Sequence, residues 1–282
     1  MQQLPERYPN VFTTEPVWTD MTEHDIHLTD ETSCYQHPHK IPQALWDDVQ
    51  AELMRLLDNG IIQYEDYTNW NSPLIIVRKR GGGIHLVNNF ISLNKKTVDE
   101  QYLMNDPDKL LSRVAGGKYL TRLDLHKAFF QINLSKRSQK YGSFHTPFGV
   151  FSYRRMAMGL KCASFTAQEL LDRILRDTHC FTGTLIDDIL SFSKDFDLHL
   201  TQVREVLDRL IQAGLTANTE MHILHLMTLW YLAIEFMTEQ SNQIMRRLKW
   251  LQTGLYLETR SNWGHFWVSI VISNLIFHAT AH

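Results

Sequence analysis

No stretch of this chain reaches the roughly 18 consecutive apolar residues that a membrane-spanning helix needs. Its most apolar segment, residues 266–277 (FWVSIVISNLIF), is too short and is interrupted by Ser and Asn. The opening MQQLPERYPN has neither an apolar core nor a basic start, so it does not read as a signal peptide. Cysteine is scarce. Cys34, Cys162 and Cys180 are the whole complement, too few and too scattered for a disulfide framework. A phosphate-binding loop of Walker spacing is missing, and strand and helix patterns do not alternate as a doubly wound parallel sheet requires. These absences lead to the expectation of an intracellular chain, cytoplasmic or nuclear, with no membrane partner.

What is present is ample for a core. Of 282 residues, 44% are hydrophobic and 11% aromatic, which excludes a disordered chain. The net charge of −3 hides a strong asymmetry. Residues 1–70 hold 3 Lys/Arg against 13 Asp/Glu, residues 71–171 hold 16 against 6, and residues 172–282 hold 9 against 12. The middle block clusters its cations at Arg78-Lys79-Arg80, Lys95-Lys96, Lys136-Arg137 and Arg154-Arg155. Such a block suits either phosphates or plain solvation. Residues 1–40 are polar, acidic and proline-containing, and read as an extended or loosely packed leader. Their His24, His27, Cys34, His37 and His39 match no common zinc-ligand spacing.

Periodicity then supplies elements. Leu45, Trp46, Val49, Leu53, Leu56 and Leu57 form a helical stripe closed by Gly60. Strand-like runs follow at 61–64, 74–77 and 84–87, the last two joined by a basic glycine-rich turn. Residues 119–125 form another strand, 128–134 a helix turn or strand, and 143–153 a hairpin around Pro147 and Gly149. Helices are expected at about 162–177 and 197–213, with a hairpin between them. In 221–251 a helix would carry apolar residues on every face. The order predicts an α+β fold, a small antiparallel sheet backed by helices.

That last hairpin carries the chemistry. Asp187 and Asp188 sit between apolar, β-prone runs, and Asp124 lies in a third such run. Acids there are costly unless paired or metal-bound. An isolated doublet is usually a turn. Three converging carboxylates would instead hold two Mg²⁺ ions for phosphoryl or nucleotidyl transfer. A metal-dependent nuclease or phosphatase is a further class built on acidic strands.

Several segments, in order, carry a resemblance. They are Leu56-Leu57-Asp58-Asn59-Gly60-Ile61-Ile62, Trp70-Asn71-Ser72-Pro73-Leu74, Leu93-Asn94-Lys95-Lys96-Thr97, and Leu123-Asp124-Leu125-His126-Lys127-Ala128-Phe129-Phe130-Gln131-Ile132. Thr146-Pro147-Phe148-Gly149, Arg155 to Lys161, Ile186-Asp187-Asp188-Ile189-Leu190 and Gly214-Leu215-Thr216-Ala217-Asn218 continue the series. Together they resemble the reverse transcriptases of long-terminal-repeat retroelements, the gypsy type most closely and the retroviral pol enzymes more distantly.

The resemblance implies right-hand polymerase fingers and palm over residues 41–218, between the 1–40 leader and a divergent 219–282 segment, with the thumb absent or degenerate. It implies RNA-directed DNA synthesis on an RNA or DNA template with a primer, from dNTPs, with two Mg²⁺ ions or Mn²⁺ in their place. Asp124, Asp187 and Asp188 take the catalytic and metal-binding positions. Leu125 would add a backbone ligand, and Phe129 would lie against the sugar 2′ position. Gly159 and Lys161 would cradle nucleotide and template, and Lys79 and Arg80 would face the triphosphate.

The chain also departs from the family pattern. Leu185 replaces a Tyr. His85 and Ile91 replace arginines, and Ala157-Met158 and Cys162-Ala163-Ser164 replace Pro-Phe and Asn-Ala-Pro. Thr219-Glu220-Met221 stands where a Pro and then a Lys are expected, and Tyr231-Leu232-Ala233 is only a faint primer-grip echo. These departures make an inactive remnant, keeping the fold and weak nucleic-acid binding, the alternative to an enzyme. They also lead to the expectation that the segment after about 219–233 derives from another reading frame or a spliced exon. The other two frames of the encoding DNA should then show a polymerase-like continuation, and its absence there refutes the idea.

Overall fold

The computed structural model describes residues 4–13, 17–78, 82–114, 116–218 and 222–225. Helices are α1 (Leu4–Arg7), α2 (Trp46–Asp58), α3 (Ile91–Lys96), α4 (Pro107–Val114), α5 (Ala163–Ile174) and α6 (Phe196–Gln212). Strands are β1 (Thr19–His24), β2 (Ile62–Tyr64), β3 (Leu74–Arg78), β4 (Ile84–Asn88), β5 (Tyr119–Asp124) and β6 (Ile132–Leu134). They continue as β7 (Phe144–Thr146), β8 (Gly149–Tyr153), β9 (Thr182–Leu185), β10 (Asp188–Ser193) and β11 (His222–His225). Among the described residues, no helix is long and apolar enough to cross a membrane.

The α+β expectation holds. The central sheet is antiparallel, ordered β11-β5-β10-β9. A second sheet, β2-β8-β7, and the β3–β4 hairpin lie beside it, and β1 pairs in parallel with β6. Strand alternation gives each face of the central sheet its own partner. Leu120, Leu190 and Phe192 share one face with Leu110 and Val114 of α4. Leu123 and Ile189 point the other way into the main core, which also takes Val203, Val206, Leu207 and Leu210 of α6. There His199 is fully buried. Its ring is bonded to Thr121 Oγ1 at 2.7 Å and Ser193 Oγ at 2.6 Å, which pins α6 to β5 and β10.

Two helices end as their residues dictate. Asp195 caps α6, its side chain accepting from the Leu198 N–H at 3.0 Å. Gly60 (φ +60°) and Gly214 (φ +65°) take the left-handed conformation that lets the chain leave α2 and α6.

Two expectations are corrected. The leader is packed, not loose: Val11, Phe12 and Ile26 join the main core, and the Val11 carbonyl accepts from the Ala217 N–H at 2.8 Å. Its acidity is matched locally. Asp25 accepts from Arg137 Nε at 2.8 Å and from the Ser135 and Ser138 hydroxyls. The Arg137 bond foremost holds the Asp25 carboxyl far below the usual range. Residues 222–225 form a strand, because β5 has a free edge whose backbone groups the segment satisfies. The rest of 219–282, with Tyr231-Leu232-Ala233, lies outside the described residues. Among the described residues no three His, Cys, Asp or Glu side chains are drawn together as a ready-made metal site, either in the leader or at the three aspartates.

His24 instead lies buried, its Nδ1 2.8 Å from Thr166 Oγ1. Burial lowers its pKa from 6.5 to about 4. Between those values the unfolded chain binds the extra proton, so stability rises with pH through the window and falls on acidification. This residue alone is expected to remove about 3 kcal/mol of unfolding free energy between pH 7 and pH 4. Denaturant titrations of wild type and His24→Gln check it: the gap between them should narrow by that amount at pH 4.

Candidate active site

Antiparallel register places Asp188, the first residue of β10, directly opposite Asp124, the last of β5. The turn between β9 and β10 is only Ile186 and Asp187, so the third acid is carried beside the other two. The Leu125 N–H donates to the Asp187 carbonyl at 3.1 Å and ties the turn to the end of β5. Ile186 holds φ +58°, a strained value for a β-branched residue. Its N–H donates to the side-chain carbonyl of buried Gln168 on α5 at 2.8 Å. Gln168 is fixed in turn by donating to Asp172 Oδ1 and Thr184 Oγ1, both at 2.8 Å.

Three acids this close repel one another, and the fold treats them differently. Asp188 is buried and forms a two-pronged salt bridge with Arg122, at 2.8 Å from Nε and 3.2 Å from Nη2. Burial pulls the Arg122 pKa down, but the Asp188 bond and the charges of Asp188, Asp124 and Asp187 leave it raised overall. Among the described residues no cation forms an ion pair with the Asp187 carboxylate. Burial, then the charges of Asp188 and Asp124, push its pKa up to about 6. Asp124 is raised by burial and by Asp188, against the hydrogen bond from Asn218.

Asn218 closes the site from the far end of the fold. Its N–H donates to the Asp124 carbonyl at 2.8 Å, and its Nδ2 donates to Asp124 Oδ2. Its Oδ1 lies 2.7 Å from His126 Nδ1. Asp124 and Asp187 thus form a half-buried pair of hard oxygen donors short of positive charge, which fits a divalent ion such as Mg²⁺. Asp188 is engaged by Arg122 and fits a supporting place.

Both acids of the pair line a cleft of about 220 Å³, together with Leu125, Phe129 and Met158. Arg55 of α2, His85 of β4 and Lys127 line it too. Gly159 and Lys161 do not. Gly159 (φ +91°) packs near Phe90, and its carbonyl accepts from Asn94 Nδ2 at 2.8 Å. Lys161 Nζ donates to the Thr97 carbonyl at 2.8 Å and pairs with Asp99 at 2.6 Å. Lys79 and Arg80 lie outside the described residues. Sequence reasoning missed Arg122, Gln168 and Asn218 as site residues. Only Arg122 left a signal, since a residue two before Asp124 on one strand shares its face.

The sequence model of the family described as reverse transcriptase (RNA-dependent DNA polymerase) matches residues 77–236. A retrovirus-related Pol polyprotein from the Drosophila melanogaster transposon opus is 30% identical over 233 residues, covering 78% of this chain and 23% of that protein. The corresponding polyprotein of the Drosophila melanogaster transposon gypsy is 29% identical over 204 residues, covering 69% and 19%. The chain therefore spans about a fifth of the length of such curated relatives. Among solved structures, the foamy viral protease-reverse transcriptase in complex with an RNA/DNA hybrid aligns with a TM-score of 0.73 at 15% identity, covering 97% of this chain and 43% of that one. Native prototype foamy virus protease-reverse transcriptase aligns at 0.70 and 20%, covering 79% and 30%. These likenesses show the shared fold.

The salt bridge gives a prediction. Arg122 is 41% exposed at its side chain, so solvent screens part of the pair. A double-mutant cycle of Arg122→Gln and Asp188→Asn, read by denaturant unfolding, should return a coupling of about 1–2 kcal/mol. A coupling near zero would show that the two groups do not depend on each other.

Proposed function

The chain belongs to the reverse transcriptase family, and on that premise we propose that it performs RNA-directed DNA polymerisation, adding dNTPs to a primer on an RNA or DNA template. One observation carries this reading: Asp124 and Asp187 meet in a cleft that also holds Phe129. In the proposed reaction the primer 3′-hydroxyl attacks the α-phosphate of the nucleotide and pyrophosphate leaves. Asp124 and Asp187 would hold the two Mg²⁺ ions, or Mn²⁺ in their place, and the backbone carbonyl of Leu125 would add a ligand. The chemistry such ions would supply when bound there is a lowered pKa of the primer hydroxyl and neutralisation of the triphosphate.

The remaining roles belong to the chain itself. Asp188, fixed by Arg122, keeps the end of the hairpin in place. Phe129 lies against the sugar and excludes a 2′-hydroxyl. Lys127, His85 and Arg55 line the cleft where the triphosphate would enter, although Arg55 is held by a two-pronged salt bridge to Glu52, which lines the cleft too. This matters because His85 cannot supply the permanent, forked charge of the family's arginine. An intracellular setting, cytoplasmic or nuclear, accompanies this reading.

Extension of an oligo(dT) primer on poly(rA) with Mg²⁺ tests the proposal. Wild type should extend, and Asp187→Asn should fall to background. Adding Mg²⁺ after chelation should raise the melting temperature of wild type and leave Asp187→Asn unchanged. Absent extension, with salt-sensitive oligonucleotide binding retained, would favour a non-catalytic remnant.

A further inference from the structure

The acidic first block and the basic middle block pair when the chain folds. Asp25 takes Arg137 and Asp30 takes Lys96, while within the middle block Asp99 takes Lys161. Three cations are left together elsewhere. Lys136, Arg154 and Arg155 line a pocket of about 440 Å³ that shares no lining residue with the active-site cleft. No carboxylate among the described residues forms an ion pair with any of the three.

Arg155 is the telling member. It is only 5% exposed, and its guanidinium lies 3.9 Å from the centroid of the Trp18 ring. Its Nη1 donates to Asn133 Oδ1, a neutral partner that supplies no counter-charge. Burial, then repulsion from Arg154, pulls its pKa down to about 10, and Asp20 opposes this. A buried guanidinium without a carboxylate is costly. An anion bridging Arg155 and its neighbour would relieve both burdens. Glu23 stands at the pocket too, so the site is not uniformly positive. Leu134 and the amides of Gln63, Asn133 and Gln139 complete the lining, the amide nitrogens already donating to protein oxygens, so the cations are the groups an anion would meet. Trp18, 46% exposed, offers a stacking surface beside the cations.

We propose that this pocket is a second nucleic-acid contact, taking the phosphodiester backbone of a single-stranded segment outside the cleft while Trp18 stacks on its bases. Cations interleaved with an exposed aromatic are how proteins hold single strands without reading sequence. The identity of the polyanion rests on the polymerase reading, whereas the unpaired cations do not.

Fluorescence anisotropy on the full chain tests it, comparing a blunt duplex with the same duplex bearing a single-stranded overhang of about 15 nucleotides. Wild type should prefer the overhang. The double variant Lys136→Gln/Arg154→Gln changes two exposed side chains, and an unchanged melting temperature confirms its fold. It should lose the preference and lower the slope of log K against log salt by about 1.4 for the overhang duplex. Trp18→Ala should weaken overhang binding at least about fivefold. The proposal is overturned if the double variant keeps both preference and slope, or if millimolar inorganic phosphate abolishes the wild-type preference, which marks a free-phosphate site. A wild type that binds neither duplex overturns the polymerase reading along with it. A wild type that extends primers while the double variant keeps its overhang preference overturns the second contact alone.

Discussion

Three carboxylates crowded at the ends of two neighbouring strands are the constraint around which the centre of this molecule is arranged. The register that sets Asp188 opposite Asp124 creates the repulsion, and the two-residue turn adds Asp187 to it. The fold answers with unequal treatment. Arg122 neutralises Asp188, Asn218 hydrogen-bonds Asp124, and Asp187 is left with a pKa pushed up to about 6. The apolar lower half of the same sheet face, under α4, gives the acids a rigid base. Strain at Ile186 is tolerated because Gln168 fixes the turn from behind.

Among the described residues, two others that are not glycine also hold left-handed backbone. Lys127 (φ +48°) turns the chain away just after β5, and Cys162 (φ +64°) starts α5, which carries Gln168. Left-handed backbone at such residues persists only where the surroundings over-determine it. One follows the strand that ends in Asp124 and the other starts the helix that carries Gln168, so each lies beside an element that positions the acids.

Much of this was legible in the sequence. Helices α2, α5 and α6 announce themselves by apolar spacing, and the hairpins at 144–153 and 182–193 by strand-turn-strand pattern. The acids were legible because carboxylates embedded in apolar strands need a reason. Other parts were not. The polar run TDMTEH of β1 has no strand signature, and only its pairing with β6 makes it one. Helices α3 and α4 are too short for a full stripe. Gln168 and Asn218 act across contacts that no local pattern encodes. Lys161 sits in a motif that points to nucleotide, yet its ammonium found Asp99 and the Thr97 carbonyl nearer. The charge blocks were visible, but not which cations would stay unpaired after folding.

The Asn218–Asp124 contact also has a temporal side. Its two residues lie 94 positions apart. At a synthesis rate of about 5–20 residues per second, Asp124 leaves the ribosome roughly 5–20 seconds before the residue that clamps it. Throughout that interval the nascent chain holds part of its acid cluster without the cover over Asp124. The exposed acid cluster is thereby separated in time from the finished site by the order of translation itself.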